Sequence, residues 1–189
     1  MNFAFGDAIP GLEIDGHPVH GTVFNEQQVR AAAGITLVLA AWAFVQAWLA
    51  QRYAPIQAVT ALFALEFALR SAFGLRASPA GWLAGRLVAR QAPVWVSAAP
   101  KRLAWTLGLA MATAMALITN LGIRGALPLT VCVICLALMW LETALGLCLG
   151  CEIYRLLARR GWIRVDDAFE VCTHGVCRVA AERGATDAA

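Results

Sequence analysis

Long apolar runs alternate with short polar segments along this chain. Four of the runs are long enough to cross a bilayer, which takes about 20 helical residues. They lie at Ala31–Ala50, Pro55–Leu75, Leu103–Leu121 and Leu127–Leu149. The fourth is expected to continue as one polar-sided helix to Arg159. Asn25 is placed as the N-cap of the first helix, and Gln28 three residues on completes a capping-box pattern. Upstream, Ile14-Asp15-Gly16-His17 reads as a tight turn between short extended pieces. Between the second and third spans, Ser78-Pro79 reads as an N-cap followed by a first-turn proline. Beyond it, Leu83, Ala84, Leu87 and Val88 share one arc of a helical wheel, and Arg86 and Arg90 share another. That pattern predicts a short helix lying in the membrane interface.

The expected fold is therefore all-α: a four-transmembrane-helix bundle with a short cytoplasmic interfacial helix and a small C-terminal cytoplasmic tail. Its parts are an N-terminal cytoplasmic segment at 1–24, the transmembrane domain at 25–159 and a cysteine-containing tail at 160–189.

Composition agrees with a membrane protein. Hydrophobic residues make up 60% of the 189 and charged residues 14%, whereas soluble domains run near half apolar and a quarter charged. The start of the chain has no basic stretch leading into an apolar one, so no cleavable signal peptide is expected. Net charge is only +3, and no basic stripe with interleaved aromatics is present, which argues against nucleic-acid binding. Lys101 is the only lysine. With four spans, Arg30, Arg76, Arg86, Arg90, Lys101, Arg102, Arg155, Arg159, Arg160 and Arg164 fall on one side, against Arg52 and Arg124 on the other. The positive-inside bias then puts both termini in the cytoplasm.

Three ionisable residues are expected inside the bilayer. Glu66 and Glu142 are placed near mid-membrane on parallel helices, with Arg70 one turn after Glu66. Charge at that depth is costly and should face the bundle and pair. The favoured reading is an interhelical lock in which Arg70 holds one carboxylate and the other stays protonated. A proton or substrate path is the alternative. Leu65-Glu66-Phe67-Ala68-Leu69 and Leu141-Glu142-Thr143-Ala144-Leu145 also match as a short internal repeat.

The six cysteines fall in three pairs. Cys132 and Cys135 lie near the outer end of the fourth span, Cys148 and Cys151 near its cytoplasmic end, and Cys172 and Cys177 in the tail. On a continuous helix Cys135 shares a face with Glu142, and Cys148 and Cys151 point elsewhere, so direct exchange between those pairs would need a carrier. The outer pair invites comparison with the vitamin K epoxide reductases, four-helix membrane enzymes with a C-x-x-C beside a quinone. The outer loop Gln51-Arg52-Tyr53-Ala54 has no cysteine pair to relay electrons, so a quinone cofactor is not supported. Cys148, Cys151, Cys172 and Cys177, with His174 as a substitute ligand, have spacing similar to four-thiolate zinc sites. Cys148 and Cys151 are the first candidates for chemistry. Arg155, one turn beyond Cys151, would bias them toward thiolate, and the C-terminal dipole of a continuous helix would oppose it. Close packing of small residues beside Gly146 and Gly150 is the non-chemical alternative.

Several stretches together resemble the bacterial membrane family known as domain of unknown function 4395. They are Asn25-Glu26, Val29-Arg30 and Ala33-Gly34; Leu65-Glu66-Phe67 with Leu69-Arg70; Phe73-Gly74 with Ser78-Pro79; Ala99-Pro100-Lys101-Arg102; and Leu141-Glu142 with Gly146-Leu147-Cys148-Leu149-Gly150-Cys151 and Tyr154. The resemblance covers about Phe24 to Leu157. Leu147 and Leu103 stand where the family often has Phe. It implies a four-span protein of the bacterial inner membrane and association with rhodanese-like or thioredoxin-like soluble proteins.

The functional expectation is a membrane thiol protein working in sulfur transfer or dithiol/disulfide exchange at the cytoplasmic face through Cys148 and Cys151. A non-catalytic subunit or assembly factor of a larger membrane complex, and a zinc-binding protein, are the alternatives.

Overall fold

The computed structural model describes residues 5–14, 17–19 and 21–163. Two short strands, β1 (Glu13–Ile14) and β2 (His17–Pro18), pair antiparallel on either side of the turn positions read from the sequence. Strand β3 (Val23–Asn25) runs straight into helix α1 (Glu26–Leu49). After α2 (Ala54–Phe73), a 3₁₀ turn at Leu75–Ala77 leads to α3 (Pro79–Leu87). Strand β4 (Trp95–Ser97) opens α4 (Ala98–Asn120), and α5 (Ala126–Trp140) and α6 (Leu149–Arg159) follow. Helices α1, α2 and α4, and α5 extended to Leu145, are each long and apolar enough to cross a membrane. The fold is an all-α bundle with four helices of membrane-spanning length and hydropathy, as in a multi-pass membrane protein.

β3 and β4 pair antiparallel, with Val23 opposite Ser97 and Asn25 opposite Trp95. The two strands therefore deliver the starts of α1 and α4 side by side. We call this end of the bundle basal. Asn25 caps α1 as expected: its side chain accepts from Gln27 N at 3.1 Å and from Val94 N at 3.2 Å. Gln28 does not close the capping box. Its amide donates instead to the Gly81 carbonyl of α3 at 2.9 Å, tying α3 to α1. Ser78 caps α3 through Gly81 N, also at 2.9 Å. The short helix read from Ser78-Pro79 is present, and its apolar arc divides between the bundle and the outside. Ala84 and Val88 are buried, whereas Leu83, Leu87 and Trp82 face outward, with Arg86 stacked over the Trp82 ring at 3.9 Å.

One core cluster lies at the basal end around Phe24, Val29, Leu75 and Trp105, and another toward the opposite end around Tyr53, Ile56, Phe63 and Met115. Helices α2 and α4 pack closely. Helix α5 leans on α1 and barely touches α4. That imbalance leaves a cleft of about 410 Å³ between α4 and α5, floored by α1 and α2.

The largest departure from the sequence reading is in the fourth span. It does not run on to Arg159. Leu141–Leu145 widens into a π-helical turn, Gly146 takes a left-handed conformation at φ +69°, and a new helix starts at Leu149.

Candidate thiol site at the basal end

The break in the fourth span builds the site. A helix end leaves carbonyls without intrahelical partners. Here Arg30 of α1 takes up two of them: Nε and Nη2 donate to the Thr143 carbonyl at 3.1 and 3.0 Å, and Nη2 to the Ala144 carbonyl at 2.8 Å. Glycine suits position 146 because left-handed backbone costs a side-chain-bearing residue about 1–2 kcal/mol. Two residues on, Cys148 is extended (φ −99°, ψ 106°) and occupies the N-cap position of α6. Its carbonyl accepts from Cys151 N at 3.0 Å and Glu152 N at 3.1 Å.

Gly150 has a different role. A Cβ there would stand 2.4 Å from Ala104 Cα. The missing side chain lets the first turn of α6 press against the α4 backbone, which sets the thiol pair beside Lys101.

Lys101 is the charge at the centre of the site. It comes from the first turn of α4 and is 4% exposed. Its Nζ lies 3.2 Å from Glu26 Oε2 of α1 and 3.2 Å from Glu142 Oε1 of the fourth span. Glu142 was expected near mid-membrane, in an interhelical lock with Arg70. It sits instead at the basal end of its span, level with the first turns of α1 and α4, and its partner is this lysine.

The two thiols differ in environment. Cys148 is 7% exposed and Cys151 half-buried. The hydrogen bond from the Cys151 thiol holds Cys148 below the ordinary thiol range. Burial and Glu142 oppose that shift, and Lys101 adds to it. Cys151 is pushed up in turn, because its proton is engaged by Cys148 and because it too is buried. An N-terminal helix position also favours an anion. The continuous helix expected from the sequence would have placed these thiols at a C-terminal dipole, with the opposite sign.

The other predicted residues fall as follows. Arg70 pairs with Glu66 inside α2, both buried, with Nε and Nη2 at 2.8 and 2.7 Å from Oε1. Arg70 does not join α2 to the fourth span. Arg155 Nη1 donates to Glu152 Oε1 at 3.0 Å, while the cation acting on the thiols is Lys101. Cys132 and Cys135 carry free thiols in α5 and line the same cleft as Glu142 and Cys148. Their separation from Cys148 by helix phase does not hold, because the break at Gly146 resets that phase. Cys172, Cys177 and His174 lie outside the described residues. Among the described residues no group of three or more His, Cys, Asp or Glu side chains is placed to hold a metal ion.

Lys101 and Glu26 were missed as site residues by sequence reasoning. The signal was present in a lone lysine four residues into an apolar helix of an arginine-rich chain.

The family model described as Domain of unknown function (DUF4395) matches residues 24–159. The chain belongs to the DUF4395 family. No curated protein and no solved structure matches it. The match starts one residue before Asn25 and ends at the last residue of α6. The span shared with DUF4395 thus contains every residue of the thiol site: Glu26, Arg30, Lys101, Glu142, Cys148 and Cys151.

Proposed function

We propose that this protein is a membrane thiol–disulfide exchanger whose working pair is Cys148 and Cys151. The observation that carries the reading is the asymmetric pair itself: a buried N-cap thiol hydrogen-bonded by its partner, beside a lysine held between two carboxylates. Two thiols within hydrogen-bond reach can close a disulfide, whereas a persulfide carrier needs only one. Exchange is therefore favoured over sulfur transfer.

The asymmetry assigns roles. In the disulfide form, a soluble dithiol protein of thioredoxin-like chemistry attacks Sγ of Cys151, the less buried of the two residues. Cys148 then leaves as thiolate, and a more acidic leaving thiol leaves faster. The partner's second thiolate resolves the mixed disulfide by attacking its first sulfur, releasing Cys151. Atoms and electrons balance: the partner becomes a disulfide and Cys148 and Cys151 become thiols.

The positive-inside bias supports a bacterial inner-membrane location with the basal end and both termini in the cytoplasm. Arg30, Arg76, Arg86, Arg90, Lys101 and Arg102 gather at that end, against Arg52 and Arg124 at the other. A stable disulfide is disfavoured in that compartment, which suits a transient one.

The test is a trapping experiment. Oxidised protein is mixed with a thioredoxin-like protein that keeps only its attacking cysteine. A mixed disulfide mapping to Cys151 is expected. Mapping to Cys148 would reverse the roles, and failure of Cys148 and Cys151 to form a disulfide under any oxidant would end the reading.

A further inference from the structure

Cys148 faces the wrong way for a water-soluble reactant. Cys148 is nearly sealed from solvent, yet it lines the cleft between α4 and α5. The walls of that cleft are almost wholly apolar, with Phe63, Phe67, Met111 and Met139 among them. Among the described residues Glu142 is the only lining carboxylate, and it stands at the same end as Cys148. Of the other polar lining groups, Thr60 is turned back on its own helix, donating to the Ile56 carbonyl at 2.8 Å. The volume of about 410 Å³ lies in the range of small-molecule sites, about 300–1,000 Å³. The helices on either side of the cleft, α4 and the fourth span, are each long and apolar enough to cross a membrane, so a ligand would reach it from the bilayer.

We propose that this cleft binds a lipid-soluble quinone, with its ring at the Cys148 and Glu142 end, and that the quinone reoxidises the Cys148–Cys151 dithiol. The proposal rests on the thiol-exchange reading and supplies its missing half. A dithiol that has accepted electrons from a soluble partner must lose two electrons and two protons. An apolar cleft excludes ionised acceptors. Dioxygen would not need a cavity of this size. An uncharged ring that takes up both electrons and both protons meets the chemistry and the lining together. In the step, the S–S bond forms between Cys148 and Cys151, both S–H bonds are lost, and the quinone becomes the quinol. Both protons pass to the quinone oxygens, and the Glu142 carboxyl stands in the cleft wall at the Cys148 end. The absence of a cysteine pair in the outer loop, which counted against a quinone at Cys132 and Cys135, has no bearing on a ring at Cys148.

The experiment uses the full chain, reduced, in nanodiscs of uncharged phosphatidylcholine, without air. A short-chain ubiquinone analogue is added, its absorbance followed, and free thiols counted by mass tagging. About one quinone consumed per protein, with Cys148 and Cys151 both protected, is expected. Met111→Trp, which fills the cleft, should slow this step at least tenfold and leave oxidation by glutathione disulfide at the wild-type rate, which also reports that the variant is folded. If glutathione disulfide oxidises the pair and the quinone does not, the quinone proposal falls and the exchange reading stands. Equal quinone rates in wild type and Met111→Trp would place oxidation outside the cleft and overturn the proposal. Oxidation that occurs only on admitting air would assign the cleft to an acyl chain. If neither reagent closes the disulfide, both readings fall.

Discussion

At the residue scale, a hydrogen bond adds to the different settings of two neighbouring thiols. Cys151 donates and Cys148 accepts, so Cys148 ionises at lower pH than an ordinary thiol and Cys151 at higher pH. The rate of Cys148 alkylation by a small uncharged reagent should therefore rise through a midpoint below the ordinary value of about 8.5. Removing the donor in Cys151→Ala should move that midpoint upward, and an unchanged midpoint would dissociate the shift from the hydrogen bond. Lys101→Met should also move the midpoint upward, because it removes the cation that favours the thiolate. It should cost stability as well, about 3 kcal/mol, since it strands two carboxylates at a buried position. Thermal unfolding in detergent measures that loss. A Lys101→Arg variant that restores stability without restoring the midpoint would show that the two roles separate.

At the scale of elements, the four spans were legible and the break was not. Span length follows from apolar run length, which the sequence displays directly. The break depends on Arg30, which lies 113 residues before the Thr143 carbonyl it binds. No local window contains both. Glycine in an apolar run gives little warning, because membrane helices tolerate it. The internal repeat shows how much one residue decides. Aligning Glu66 with Glu142 aligns Arg70 with Gly146. In α2 the arginine closes an i, i+4 pair and the helix continues. In the fourth span the glycine turns the chain and a thiol pair follows. The lone lysine was visible, but its meeting with Glu26 was not, for a related reason: their proximity is a product of β3–β4 pairing, and two three-residue strands leave almost no sequence signal. Gly146→Ala should destabilise by about 1–2 kcal/mol through backbone strain alone. Gly150→Val should cost more and alter Cys148 reactivity, because α6 must back away from Ala104. Unfolding midpoints and alkylation rates of the two variants check the contrast.

At the scale of the whole molecule, the bundle is built as two helix pairs held together most firmly at one end. The basal end has strand pairing, the Phe5–Phe24–Trp105 aromatic cluster and the Glu26–Lys101–Glu142 contacts. Away from it, α4 and α5 part to leave the cleft. The proposed orientation is testable on this frame. Gln91→Cys, at the basal end, should react with a membrane-impermeant reagent only from the cytoplasmic side, and Gln51→Cys only from the opposite side. The reverse pattern would invert the topology and move Cys148 and Cys151 to the other compartment.

The contacts of Lys101 also set an order of assembly. During synthesis α4 reaches the membrane before the fourth span exists. At that stage Lys101 has Glu26 beside it, delivered by the strand pair, but not Glu142. Only when the last span arrives, and Arg30 takes up its loose carbonyls, do the thiols come to rest against α4. A chain that stopped after Asn120 would have three spans and half of the lysine's counter-charge. Cys148 and Cys151 thus reach their place last, when the fourth span and α6 dock onto a platform already made by α1 and α4.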